Sequence, residues 1–490
     1  MSSVFHVSVK ADGVQTKGDS HFYRGHIAER SDSIRDGIWA EWKWDGNSLT
    51  AQNCRYGMMP LYYFHSGDEF CISDSLESLL QEGAPRELDD AAIAVFLRRH
   101  NYLGNDTPFK AIRCLPPNSK LTWSNGLFRI ESEAFRSSLQ QLKRPAIIDA
   151  VIELFQQSMS RRLPKSDRFT VPLSGGKDSR QILFELIRQN RTPGFCVTSR
   201  HPPPRANGDA EVAAEVARRL KVECRTLEIR TLGLAEEEAK NGTLQFSSVE
   251  HQWAVPLSGF LAANVDTSYD GINVDCILYG EKRARLFAEG RFAELAEDFL
   301  GDSEAALSRV LKDRAYRRFS REKAIERMIE DLRVHAEQAC PVSNYQFWGR
   351  TRRLVAPVPF GLMGAVETMH TPFLDRDFFD FVMSLPEAPM VGGHLYKEAI
   401  AKCYPEYSDI PYADLGLGAG PKKSYNRRFL GELSLHLAAK GRDTEMIDSP
   451  QTLASTIKAA VTGSQSSFEW LQPRLIVYLL QLERFSRDQA

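Results

Sequence analysis

The chain has 490 residues, of which 42% are apolar and 26% charged, a composition that predicts a globular protein of about two to four domains. Its formal net charge of -2 gives no support for non-specific binding to nucleic acid or to anionic membranes. The eight cysteines are scattered without a CxxC pair, which argues against a zinc site and against a disulfide framework.

The beginning of the chain has the pattern of β-strands. Two runs alternate apolar with polar residues, as half-buried strands do: Phe5, Val7, Val9 and then Trp42, Trp44. Asp45-Gly46 follows the second run and suits a tight hairpin turn. We therefore predict that about the first 135 residues form a β-rich domain.

Beyond a boundary near 136–145, strands alternate with helices. Pro145 suits the first turn of a helix with one apolar stripe, formed by Ile147, Ile148, Val151, Leu154 and Phe155. Strand-like runs follow at 169–173, 195–198 and 222–229, separated by amphipathic helices. This alternation predicts a parallel sheet with helices on both faces, and ligands on such sheets sit beyond the carboxyl ends of the strands.

The stretch Ser174-Gly-Gly-Lys-Asp-Ser179 lies between the first of these strands and its helix. Gly175 and Gly176 allow several N–H groups to converge beside the positive helix end, a geometry that holds phosphate. The hydroxyls of Ser174 and Ser179 add donors, and the carboxylate of Asp178 could hold Mg²⁺ on the same phosphates. A Walker A loop is excluded because Val171 and Asp178 stand where that loop needs Gly and Ser or Thr.

Further along, acidic residues follow two of the strands. Asp209 of the run Asp209-Ala-Glu211 could lie near the phosphates, cap its helix or do both, and the proline-rich loop 200–209 either binds substrate or is a solvated connector. The stretch 270–280, which contains Gly271, is by itself only a turn. Together with the loop at 174–179, its Asp275 offers a second carboxylate for Mg²⁺.

From about residue 281 the chain is mostly helical, with amphipathic runs such as 320–338. A glycine-rich run at 416–420 precedes Lys422 and Lys423. These lysines fit a mobile lid that closes over a reactive intermediate, and a solvated charge pair is the alternative interpretation.

Taken in order, these motifs resemble the asparagine synthetase superfamily over essentially the whole chain. The loop at 174–179 resembles the pyrophosphate loop of the ATP pyrophosphatases, and the stretches 55–63, 73–80 and 107–117 resemble the glutaminase-type N-terminal domain. Glutamine-dependent members carry Cys at position 2, whereas this chain has Ser2 and Ser3. The family's glutamine-holding segments have no counterpart either, so we expect the first domain to lack glutaminase chemistry.

The second half also departs from the family pattern. The turn 270–280 matches the family's Gly-x-Gly-x-Asp-Glu loop at Gly271 and Asp275, with Asn273 and Cys276 in place of Gly and Glu. The stretch 366–376 resembles the family's segment in which Glu precedes Arg-x-Pro-Phe-Leu-Asp, although His370 replaces the Arg. Glu367 stands one residue farther from the proline than usual, so Thr368 takes its place in an ungapped match.

The resemblance implies an α/β protein in two parts. Residues 1–140 would form an Ntn-type αββα sandwich without the nucleophilic Cys. Residues 141–490 would form an adenine-nucleotide α-hydrolase-like parallel sheet, of the PP-loop ATP pyrophosphatase type, with helical additions. The implied cofactors are ATP and Mg²⁺. The implied nucleotide-binding residues are Leu173, Ser174, Gly175, Gly176, Asp178, Ser179, Val197 and Gly271, with Asp178 and Asp275 on the metal. The implied catalytic residues are Lys422, Lys423 and Glu367, and Lys397 is a third option for the lysine.

Relatives without a glutaminase site include β-lactam synthetases, carbapenam synthetases and lasso peptide cyclases. They adenylate a carboxylate, releasing pyrophosphate, and an amine on the same molecule then forms a lactam or macrolactam. Ammonia-dependent asparagine synthesis and an inactive ATP-binding scaffold stay open as alternatives. The expected substrate is a small-molecule or peptide carboxylate.

The partners left open are a precursor peptide, a leader-processing protein and a second copy in a homodimer, while no nucleic acid or membrane is expected. The sequence has no charged-then-apolar leader and no apolar run near about 18 residues, so we expect a soluble, cytoplasmic protein.

Overall fold

The computed structural model describes residues 2–11, 13–201, 207–272, 281–386, 394–413, 427–440, 443–462 and 472–487. Its first lobe is built on two antiparallel sheets of five strands each. One has the order β2-β1-β7-β6-β8, from β1 (Val4–Lys10), β2 (Gly13–Gly18), β6 (Tyr62–Ser66), β7 (Glu69–Ser73) and β8 (Arg113–Cys114). The other has the order β10-β9-β5-β4-β3, from β3 (His21–Ile27), β4 (Gly37–Trp44), β5 (Ser48–Asn53), β9 (Ser119–Ser124) and β10 (Leu127–Ser132).

The two sheets face each other through aromatic side chains. The rings of Phe5 and Trp44 lie 5.7 Å apart between centroids, and those of Phe70 and Phe128 lie 5.6 Å apart. The alternation predicted from the sequence is confirmed at Phe5 and Trp42, which are buried in their strands. The hairpin between β4 and β5 turns at Asp45-Gly46, as predicted, with the Asp45 carboxylate accepting from the N–H groups of Asn47 and Ser48.

The expected αββα sandwich is present in part. Helix α1 (Leu76–Gln81) packs against β6 and β7, whereas α2 (Asp90–Arg99) packs against helices of the second lobe. Arg98 of α2 helps to hold this helix on the second lobe, because its buried guanidinium donates to the carboxylate of Glu304 at 2.7 Å. The second helix of the first lobe is therefore part of the contact between lobes.

The second lobe is organised around parallel strands. These are β11 (Phe169–Thr170), β12 (Phe195–Arg200), β13 (Glu223–Glu228), β14 (Thr267–Tyr269) and β15 (Thr368–His370). Strands β11, β14 and β15 pair in parallel, as do β12 and β13. A parallel bridge between Pro172 and Val197 joins the two sets into the order β13-β12-β11-β14-β15. This is the doubly wound order 3-2-1-4-5, whose switch point lies between the neighbouring strands β11 and β14.

Helices cover this sheet as the sequence predicts. The first are α3 (Arg144–Ser160), with Pro145 in its first turn, α4 (Lys177–Arg188) and α5 (Gly208–Arg219). The predicted boundary at residue 140 falls between β10 and α3. The amphipathic stripe of α3 is buried at Ile147, Val151 and Phe155.

The rest of the second lobe is helical, as predicted. Its α-helices are α6 (Leu234–Thr243), α7 (Ala254–Asn264), α8 (Glu281–Ala288), α9 (Phe292–Leu300), α10 (Glu304–Val310), α11 (Asp313–Arg318), α12 (Arg321–His335), α13 (Pro341–Tyr345), α14 (Arg376–Met383), α15 (His394–Cys403), α16 (Arg427–Lys440), α17 (Ser449–Thr462) and α18 (Pro473–Arg487). Among the described residues it also contains the π-helical segments Gln346–Val355 and Val358–Leu362 and the 3₁₀ turns Pro372–Leu374 and Pro405–Tyr407. Within the ranges given above, none of the helices combines the length and apolar character needed to cross a bilayer.

A buried ionic network joins the two lobes. The Arg162 guanidinium donates to Asp36 of the first lobe at 2.8 Å and to Asp375 of the second lobe at 2.6 Å. All three residues are at most 2% exposed. Such a network stabilises the fold only while both signs of charge are present, because an unpaired buried charge is costly.

Next to this network, two histidines meet across the lobes. The rings of His26 in β3 and His370 in β15 lie 5.3 Å apart, edge to face. Burial and the Arg162 guanidinium lower the pKa of His26 from 6.5 to about 4. Burial, together with His26 and Arg162, lowers the pKa of His370 well below 6.5. Both imidazoles are therefore neutral in the folded protein at neutral pH.

We expect the folded protein to lose stability as the pH falls below 6.5. There the unfolded chain binds protons at both imidazoles and the folded chain does not, so the loss is about 1.4 kcal/mol per pH unit for each histidine. Urea unfolding between pH 7 and about pH 4 measures it. The double variant His26→Gln, His370→Gln should flatten the decline, while His21→Gln, an exposed residue of the same strand, should not. An unchanged slope in the double variant would contradict the assignment.

Candidate functional site

The glycine loop lies at the switch point of the parallel sheet. The Leu173 N–H donates to the Val197 carbonyl at 2.8 Å, so the chain keeps its place beside β12 up to Leu173. Gly176 then occupies the N-cap position of α4, which begins at Lys177. A glycine N-cap has no side chain to satisfy the first-turn N–H groups, so the amino end of α4 offers the positive pole of the helix to an anion.

The two serines of the loop organise its backbone. The hydroxyl of Ser179 accepts from the Ser174 N–H at 3.1 Å and lies 3.1 Å from the Ser174 hydroxyl. The Ser174 hydroxyl in turn accepts from the Gly176 N–H at 3.2 Å. We expected both hydroxyls to serve as phosphate donors. In this structure the two hydroxyls also hydrogen-bond to each other within the loop, so one of the two O–H groups donates to the other serine.

Asp209 holds the loop from the next crossover. It is in the first turn of α5, and its carboxylate accepts from the Gly175 N–H at 2.8 Å. The N-cap position of α5 is Asn207, so Asp209 does not cap this helix. The Asp209 carboxylate instead reaches the glycine loop.

Space around Gly175 is closed. A Cβ at Gly175 would lie 2.5 Å from the Cβ of Ala413 and 3.1 Å from that of Val212. Since contacts under 3.0 Å are not tolerated by real Cβ atoms, only glycine fits this position without a shift of its neighbours.

Arg180 holds the loop through hydrogen bonds to its carbonyls. This role was not predicted from the sequence. Its buried guanidinium donates to the carbonyls of Gly175 and Gly176 at 3.0 and 2.9 Å. It also donates to the carbonyls of Ile410 and Pro411 at 3.1 and 2.9 Å. One signal was available: Arg180 precedes Leu183 and Ile187 by three and seven residues, which places it on the apolar face of α4.

The segment 410–413, to which Arg180 donates hydrogen bonds, covers the glycine loop. The Ala413 N–H donates to the Gly175 carbonyl at 3.0 Å, and the Tyr412 ring lies 4.1 Å from the Arg180 guanidinium carbon. Burial raises the pKa of Tyr412; Arg180 opposes the rise, and Asp178 adds to it. The Asp178 carboxylate therefore acts electrostatically on Tyr412, a residue of the segment that covers the loop.

Asp178 faces the carboxyl end of β14. A Cβ at Gly271 would lie 2.7 Å from the Cβ of Asp178, so the first turn of α4 packs directly on the chain that leaves β14. Asp275, the proposed second ligand, lies outside the described residues, four positions beyond Gly271. A carboxylate oxygen is a donor that Mg²⁺ prefers, so Asp178 fits this ion, and the contribution of Asp275 stays a prediction. Within the described part of the chain, no three metal-ligating side chains form a cluster.

The structure does not bring Glu367 to the loop. Glu367 is exposed and directly precedes β15, at the amino end of that strand. The glycine loop lies at the opposite edge, past the carboxyl ends of the parallel strands. His370 is at the carboxyl end of β15 and is buried against Tyr269 and His26.

Among the candidate lysines, Lys397 is the one within the described ranges. It is an exposed residue of α15, and its Nζ lies 5.0 Å from the centroid of the Tyr412 ring that covers the loop. Lys422 and Lys423 lie outside the described residues, in the stretch that follows Ala413. Ala413, the residue directly before that stretch, is hydrogen-bonded to Gly175.

No family model matches the sequence, and no curated protein does. Solved structures with a partial likeness include NMN synthetase from Francisella tularensis, 14% identical over 42% of this chain and 93% of that chain, with a TM-score of 0.21. The allosteric regulatory enzyme of purine biosynthesis is 11% identical over 39% of this chain and 47% of that chain, with a TM-score of 0.15.

Glutamine phosphoribosylpyrophosphate amidotransferase from B. subtilis, complexed with ADP and GMP, is 11% identical over 39% of this chain and 57% of that chain, with a TM-score of 0.16. The last two likenesses thus span about half of those chains. All three TM-scores are below 0.5, so these likenesses assign neither a fold nor a function to this chain.

Proposed function

We propose that this protein is an ATP-dependent ligase that forms an amide bond through an acyl-adenylate. ATP would be cut between its α- and β-phosphates, giving AMP and pyrophosphate, and an amine would then displace AMP from the activated carboxylate. One observation carries the proposal: a glycine loop with Asp178 against Gly271 lies at the switch point of a doubly wound sheet. That position is where such sheets bind nucleotides.

The loop residues suit the leaving pyrophosphate. The glycines and the amino end of α4 would bind it, and the adenine would lie along the strand ends at Leu173 and Val197. Arg180 and Asp209 would keep the loop in shape, because each already bonds to its backbone. Mg²⁺, held by Asp178 and Asp275, would neutralise charge on the leaving oxygens.

A cation is needed in the second step, when negative charge develops on the former carboxyl group. Lys422 and Lys423 are candidates, on the stretch that begins next to the loop. Lys397 is the third, and its place beside Tyr412 favours it among described residues. Because the chain has serine at positions 2 and 3, glutamine would not supply the nitrogen. We propose an amine of the substrate instead, which gives a lactam or macrolactam, and free ammonia is the alternative that the test below includes. We place this reaction in the cytoplasm, which supplies its ATP.

Nucleotide analysis tests the reaction. The full chain is incubated with Mg²⁺ and ATP labelled at its α-phosphate. Aspartate with ammonia is tried first, followed by amino acids and peptides that carry both a free amine and a carboxylate. We expect AMP and pyrophosphate only when a carboxylate is present, with transfer of heavy oxygen from a labelled carboxylate to AMP. Labelled glutamine should yield no glutamate. Formation of ADP and phosphate would overturn the proposal.

A further inference from the structure

A cavity lies between the two lobes, separate from the phosphate loop. Its volume is about 630 Å³, within the range of small-molecule sites. The first lobe contributes Arg24 of β3, Asp74 and Ser2, and the second contributes Arg352 and Arg353 of the π-helical segment Gln346–Val355. None of the residues that line it belongs to the loop 174–179.

The two neighbouring arginines are buried without a carboxylate. Each is 5% exposed. Arg352 donates to the main-chain carbonyls of Gly57, Gly104 and Leu115 at 3.1–3.3 Å. Arg353 donates to the main-chain carbonyl of Asp106. Over the described ranges, neither guanidinium has a carboxylate within salt-bridge distance, and the Arg353 Nε has no hydrogen-bond partner.

This arrangement contrasts with the other buried arginine at the lobe contact. Arg162 has two aspartates to compensate its charge, whereas Arg352 and Arg353 repel each other. Burial and the neighbouring Arg353 lower the pKa of Arg352 to about 10, although Cys114 opposes this. Their partners are main-chain carbonyls and the Cys114 sulfur. Without a paired carboxylate, the two adjacent buried cations leave a positive charge that an anion would neutralise.

The remaining cavity wall contributes one pair of opposite charges. Arg24 lies 3.8 Å from Asp74 and donates to the Phe360 carbonyl at 2.8 Å. With Asp74 set against Arg24, the charges of Arg352 and Arg353 remain uncompensated among the lining side chains. The wall also contains the apolar side chains of Phe22, Met58 and Met59, so it can receive an organic body as well as an anionic group.

We propose that this cavity binds a small organic oxyanion, a carboxylate or a phosphate monoester, whose charged group sits between Arg24, Arg352 and Arg353. Guanidinium groups bind both kinds of oxyanion through paired N–H donors. Because the arginines come from both lobes, the bound anion would connect them. This site is independent of the ATP chemistry proposed above.

Binding is measured by calorimetry on the full chain without ATP or Mg²⁺. The probes are citrate, glutamate, glucose 6-phosphate and inorganic phosphate at millimolar concentration and matched ionic strength, with glucose as the uncharged control. We expect saturable one-to-one binding of at least one organic anion and none of glucose. The preferred probe distinguishes a carboxylate site from a phosphate site.

Variants locate the binding. Arg24→Gln changes a part-exposed residue and should keep the fold, and Arg353→Lys keeps the charge but not the paired donors. Each should weaken the preferred anion by at least about tenfold. Arg129→Gln, an exposed residue of β10 paired with Glu131, is the matched control and should bind like the wild type. Absence of saturable binding by the wild type would overturn the proposal. So would binding that survives Arg24→Gln and Arg353→Lys, or that is lost instead in Gly175→Ala, which would place the anion on the phosphate loop.

Discussion

Replacing Asp178 by asparagine is expected to lower the rate of carboxylate-dependent AMP formation by about 100-fold or more while the protein stays folded. The change keeps the shape of the side chain and removes the charge that faces Gly271 at the mouth of the glycine loop. Without that charge, the metal and the leaving pyrophosphate lose an electrostatic contact worth several kcal/mol in the transition state. The measurement is AMP release at saturating ATP, with circular dichroism and thermal unfolding as checks on folding.

Asp313→Asn is the matched control for this experiment. Asp313 is also an acidic residue in the first turn of a helix, but it is exposed and belongs to α11, outside the parallel sheet. Its variant should retain the wild-type rate. If Asp178→Asn turned over at close to the wild-type rate, the metal would have been placed on the wrong residue. If the variant lost its thermal transition, its inactivity would say nothing about metal binding, and Asp178→Glu would then serve as the folded probe.

Replacing Arg162 by methionine should lower the free energy of unfolding by about 3–5 kcal/mol. The methionine fills part of the space, but Asp36 and Asp375 stay buried without the charge that compensates them. Arg161 retains its contact with Asp375 at 3.0 Å, whereas Arg30 lies 3.9 Å from Asp36. Because its remaining contact is longer, Asp36 should suffer the larger loss. Urea unfolding followed by fluorescence measures the change, and the slope of the transition shows whether the lobes still unfold together.

Arg168→Met provides the comparison. Arg168 is 59% exposed and pairs with Asp266 at the surface, so its loss should cost no more than about 1 kcal/mol. Adding Asp36→Asn to Arg162→Met should restore part of the stability, because it removes the stranded charge. Equal effects of the Arg162 and Arg168 variants would show that the buried network contributes no more than a surface pair does.

Several parts of the fold were predictable because neighbouring residues encode them. Alternation at Phe5 and Trp42 identified half-buried strands, and Asp45-Gly46 identified the hairpin turn between β4 and β5. The strand–helix alternation identified the parallel sheet, and the two glycines identified the loop between β11 and α4. Strand period, helix period and turn chemistry act over a few residues, so the sequence displays them directly.

The sequence by itself thus determined where strands, helices and the candidate phosphate loop lie along the chain. Only the tertiary structure decided which distant groups meet there. It brought Asp209 to Gly175 and the carbonyl of Pro411 to Arg180, and it left Glu367 at the far edge of the sheet. It also buried Arg352 and Arg353 together between the lobes. Such contacts depend on how β-strands order themselves and on which faces of separate elements pack, and no local pattern of residue types specifies that order.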